Sequence, residues 1–74
     1  MDNFYFSVNL GNDRTLCVAP LTDRKIALSG EDIGDTSGYF LFETRSSDGF
    51  AVEIIAKVQS EEAAFWLRDM FKMA

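Results

Sequence analysis

Histidine is absent from this chain, and cysteine, proline and tryptophan each occur once. Without histidine, neither a Ser-His-Asp nor a Cys-His arrangement can be assembled within one chain. A single cysteine excludes an intrachain disulfide, and with no histidine beside it a structural zinc site is excluded too. No apolar run approaches the roughly 18 residues that a membrane-crossing helix needs. Positive charge is scarce: 7 basic residues face 12 acidic ones, for a net charge of −5. The cations Arg14, Arg24, Lys25, Arg45, Lys57, Arg68 and Lys72 are scattered and form no basic stripe. Nucleic acid and anionic membranes are therefore not expected as partners. The opening Met1-Asp2-Asn3-Phe4 lacks the basic region and apolar core of a secretory signal. Together with a lone cysteine, which suits a reducing compartment, this gives a cytoplasmic expectation.

What is present suits one small domain over residues 1–74, 47% of them apolar. A chain of this length buries only about 60% of the surface that its unfolded form exposes. Small domains add stability through disulfides, metals or association, and here association is the route left open.

The residues from Phe4 to Leu10 alternate, with Phe4, Phe6, Val8 and Leu10 on one face and Tyr5, Ser7 and Asn9 on the other. That is the period of a strand over 4–10. Gly11-Asn12-Asp13 reads as a turn, and a second strand over 14–19 pairs Val8 with Leu16 and Phe6 with Val18. Pro20 ends it, because proline has no amide proton for the ladder. Ile26 and Leu28 suggest a short strand over 25–29. Two longer strands, 38–46 and 50–58, flank Ser47-Asp48-Gly49. A three-residue loop with Gly49 left-handed pairs Thr44 with Val52, Phe42 with Ile54 and Phe40 with Ala56. It also sets Glu43 opposite Glu53, a repulsion that Arg45 relieves diagonally. Ser60 is a good N-cap for a helix over 61–73, with Glu61 and Glu62 in its first turn.

The expected fold is α+β: an antiparallel meander of about five short strands, packed on one face by a single C-terminal helix in two layers. The expected inner face holds Phe4, Phe6, Val8, Leu16, Val18, Ile26, Leu28, Phe40, Phe42, Val52 and Ile54 against Leu67, Met70 and Phe71.

No catalytic, cofactor-binding or metal-ligating set emerges. Cys17 sits mid-strand, and no neighbouring cation in the sequence would lower its pKa. Glu31, Asp32 and Asp35, in the stretch Gly30–Gly38, do not have the spacing of a twelve-residue calcium loop and read as a solvated loop. Asp35-Thr36-Ser37-Gly38 departs from the Asp-Thr-Gly turn of aspartic proteases by the interposed serine. What remains is surface. Tyr5, Tyr39, Leu41 and Ile55 fall on the sheet face away from the helix, where Leu41 is expected to pair with Ile55. Phe65 projects among Glu61, Arg68, Asp69 and Lys72. Such residues mark a protein interface. The sequence thus suggests a non-catalytic interaction or regulatory module, pairing with itself or with another protein. The alternative is a binder of a small ligand or a single strand of nucleic acid, stacked on Tyr5 and Tyr39.

Overall fold

A computed structural model describes residues 4–74. Strands β1 (Phe6–Gly11) and β2 (Arg14–Ala19) precede the short helix α1 (Asp23–Ser29). Strands β3 (Tyr39–Arg45) and β4 (Ala51–Val58) follow, with a 3₁₀ turn at Ser46–Asp48 between them, and α2 (Glu61–Phe71) comes last. The strands form one antiparallel sheet in the order β1-β2-β3-β4, a simple meander. The fold is α+β as expected, with four strands rather than five.

The missing strand is α1. Thr22 Oγ1 accepts from the Lys25 amide at 3.2 Å, Asp23 occupies the first turn, and Gly30 closes the helix at φ 70°. Those are start and stop signals of a helix. With only seven residues between them, the apolar pair Ile26 and Leu28 fits strand alternation equally well.

The β1–β2 hairpin has the expected register, Phe6 with Val18 and Val8 with Leu16. Its turn is tight because Asn12 and Asp13 both take positive φ, 53° and 62°, matching the right-handed twist of the strands. Leu10, expected inward with Phe6 and Val8, is skipped between the Asn9 and Gly11 pairs, bulges outward and is exposed. In the β3–β4 hairpin, Thr44 faces Val52, Phe42 faces Ile54, and Gly49 is left-handed, all as expected. The register then shifts between Leu41 and Phe42, so Phe40 faces Lys57, not Ala56, and Leu41 faces Ala56, not Ile55. Ile55 is the extra residue of a bulge.

The larger correction is the β2–β3 register. Cys17 faces Phe42, Val18 faces Leu41 and Leu16 faces Glu43. Directly opposed residues share a face, so the apolar set of β1–β2 and the even-numbered set of β3–β4 point to opposite sides of the sheet. Two cores result. One joins Phe6, Leu16, Val18, Tyr39 and Val58 to Ala64 and Met73 at the α2 end of the chain. The other joins Cys17, Ala19, Phe40, Phe42 and Val52, with Leu21, Ile33 and Ile54 packed around it. Helix α1 lies on that second side, where Lys25 Nζ stands 5.8 Å from the centre of the Phe42 ring.

Helix α2 starts on Ser60, whose Oγ accepts from the Ala63 amide at 3.1 Å. It ends at Lys72, left-handed at φ 55°, with the Met73 amide bonded to Arg68 O at 2.8 Å and the Lys72 amide to Asp69 O at 3.3 Å. This Schellman closure turns Met73 back into the core. It also brings Ala74 beside the outer edge of β1, where Ser7 and Ala74 exchange both backbone bonds at 3.0 and 3.1 Å. One sheet edge is thereby partly capped.

Candidate functional site

The residues expected to form a patch are separated by the two-sided sheet. Tyr39 is only 9% exposed, in the α2-side core, and its phenol oxygen accepts from the Phe4 amide at 3.0 Å. Leu41 is half-buried against the same core. Ile55 is exposed on its bulge. Tyr5 is exposed on the opposite face, where its hydroxyl lies 3.3 Å from Cys17 Sγ. Tyr5 and Tyr39 therefore do not form a common stacking platform. Phe65 is half-buried, its ring meeting Phe4 edge-on at 4.9 Å and Phe6 at 5.6 Å.

The burial of Phe65 sets the rotation of α2. Arg68, one turn further on, lies on the same side, its guanidinium 5.4 Å from the Phe6 ring centre and 5.2 Å from that of Phe65, with its side chain 38% exposed. A guanidinium over an aromatic face is attracted by the ring quadrupole, and its stem covers apolar surface. Trp66 lies two residues from Arg68, about 200° around the axis, and so points away from the sheet. It is 62% exposed, and Met70, one turn on, is 50% exposed. The helix thus turns a cation toward the sheet and presents its tryptophan to solvent. Sequence periodicity centres the inner face on Leu67 and Met70. The signal it misses is the Phe65–Arg68 spacing of three, which stacks a cation and a ring on one side.

Polar chemistry concentrates around Glu43, which is 7% exposed. Its carboxylate accepts from Arg14 Nε and Nη2, both at 3.0 Å, and from Arg45 Nε at 2.8 Å. Arg45 Nη2 also reaches Glu53 at 2.9 Å, relieving the facing glutamates as expected. The Arg14 bonds, then the Arg45 bond, hold the Glu43 carboxyl down at about 2. A carboxyl so fixed in its ionised form ties β2 to β3 and β4; it is no proton donor near neutral pH.

Cys17 is fully buried, and burial pushes its thiol pKa up despite the Tyr5 hydroxyl and Lys25. The same contact, chiefly the hydrogen bond, raises Tyr5 to about 12. In the acidic loop, Asp35 Oδ1 accepts from the Ser37 amide at 3.0 Å and the Ser37 hydroxyl at 2.6 Å, and Lys57 lies 3.6 Å from Oδ2. Among the described residues, no three potential ligands cluster to hold a metal ion.

No family model, curated protein or solved structure matches this chain. No helix among the described residues is long and apolar enough to cross a membrane.

Proposed function

We propose that this protein is a non-catalytic interaction module of the cytoplasm that pairs with a second copy of itself through the outer face of α2. One observation carries the reading: α2 lays Arg68 over the Phe6 and Phe65 rings and leaves Trp66 and Met70 exposed along its other side. Contiguous exposed apolar side chains rimmed by polar ones mark association surfaces, and tryptophan is the residue most often dominant in them. Glu62, Asp69 and Lys72 supply the rim. A domain of 74 residues with its only cysteine buried has no cross-link to add stability, so association supplies what its small core does not.

Sedimentation equilibrium across a dilution series tests the pairing. The expected species has twice the 8.3 kDa chain mass at high concentration and dissociates on dilution. Trp66→Glu should weaken association by about thirtyfold or more while leaving the fold intact, as expected of a central aromatic anchor worth at least 2 kcal/mol. A chain that stays at 8.3 kDa at every concentration contradicts the proposal.

A further inference from the structure

On the sheet face opposite α2, helix α1 covers the second core incompletely, and a groove of about 370 Å³ opens between it and the β3–β4 hairpin. That volume is at the small end of the range that ligand pockets occupy, roughly 300–1,000 Å³. Its walls are apolar: the rings of Tyr5 and Phe50 with the aliphatic Leu28 and Val52. Among the described residues its charged groups are Arg24 and Lys25, with no carboxylate.

In a chain of net charge −5 this local balance is distinctive. Four of the other five cations are matched to acids: Arg14 and Arg45 to Glu43, Lys57 to Asp35, Arg68 to Asp69; the fifth, Lys72, is exposed at the end of α2. Among the described residues Arg24 and Lys25 make no ion pair, and they stand together in the groove. Lys25 Nζ is held 5.8 Å above the ring centres of both Tyr5 and Phe42, over the groove floor. Contact with ring faces fixes the ammonium while leaving its protons free to donate. Phe50 stands at the mouth, 61% exposed, on a left-handed backbone (φ 61°) that a bulky side chain rarely adopts. That backbone holds an aromatic ring beside the groove, where it buries little of its own surface.

From these features we infer that the groove binds a small amphipathic anion, an aryl or branched-alkyl carboxylate. The carboxylate bonds Lys25, with Arg24 at the rim, and the apolar end lies against Phe50, Leu28 and Val52. A charge-assisted bond at an apolar floor discriminates the anion from its neutral isostere.

Titration of the ¹⁵N-labelled full chain with 3-phenylpropionate, and in parallel with 3-phenylpropanol, tests this by NMR. The expected result is saturable amide shifts confined to Tyr5, Thr22–Leu28, Thr44 and Phe50–Val52. The carboxylate should bind at least about tenfold more tightly than the alcohol. Lys25→Met should lower the carboxylate to the affinity of the alcohol. Arg24→Gln, at an exposed helical position, should weaken the carboxylate alone and guards against a folding defect in the first variant. Phe50→Gly, which relieves the backbone, should fold and weaken both probes alike. The inference is overturned if the alcohol binds as well as the carboxylate or if folded Lys25→Met retains the preference. It is equally overturned by shifts centred on Trp66 and Met70, or by no saturable shifts at low-millimolar probe.

Discussion

The two faces of the sheet differ in how much chain is available to cover them. One receives eleven residues of helix and a Schellman turn, and closes over Phe6, Tyr39 and Phe65. The other receives a seven-residue helix and the loop carrying Ile33, and stays open beside Phe50. The better-covered face places its functional surface on the outside of its cover, at Trp66 and Met70. The less-covered face places it in the gap. A small domain can thus carry two distinct surfaces on one sheet, because both faces are apolar and only one has a long helix.

The largest expected effect separates the two cores. Phe42 is fully buried at the centre of the α1-side core. Phe42→Ala should cost about 3–5 kcal/mol in urea unfolding, as truncations of buried phenylalanine do. Phe65→Ala, at a half-buried ring on the α2 side, should cost about 1.5–3 kcal/mol. An equal or reversed order would mean that the α2 side is the principal core.

Acid should act through the ion-pair cluster on the α2 side. Glu43 has its carboxyl lowered from the usual 4.5 to about 2, so the native state favours the ionised form. Its contribution is complete above the unfolded value and is lost as pH falls through about 2. Stability should therefore decline between about pH 4.5 and 2. Asp35, held low chiefly by the Ser37 hydroxyl, adds to the decline. Glu43→Gln should be less stable than the parent at pH 7 and flatten the curve over that window. A parallel loss at all pH values would show that the Arg14 and Arg45 bonds are not what lowers this carboxyl.

The smallest effect belongs to the open face. Phe50→Gly removes a left-handed strain of about 1–3 kcal/mol, partly offset by the extra unfolded-chain freedom of glycine. A net gain near 1 kcal/mol in thermal unfolding is expected. A loss would mean that Phe50 packs as core, and the groove would then be part of the fold.

Local features were legible in the sequence because neighbours in the chain decide them. The β1–β2 register follows from matching Val8 to Leu16, the β3–β4 register near the turn from Gly49, and the start of α2 from Ser60. The β2–β3 register was not, because nineteen residues separate those strands (20–38) and either face assignment leaves apolar residues paired. That one register sent Tyr39 and Leu41 inward and dispersed the expected patch. The rotation of α2 was hidden for a related reason: a cation over two rings is as good a floor as leucine, and hydropathy does not register it. Thr22 and Gly30 were a readable helix signal, outweighed by two apolar residues two apart.

The orientation of α2 and the pairing built on it can be tested in one isotope-filtered NOE experiment on a mixture of labelled and unlabelled chains. The account predicts intermolecular contacts from the Trp66 indole to Met70 of the other copy, and intramolecular contacts from the Arg68 side chain to the Phe6 and Phe65 rings. Trp66 contacting Phe6 within its own chain, with Arg68 in water, would contradict it.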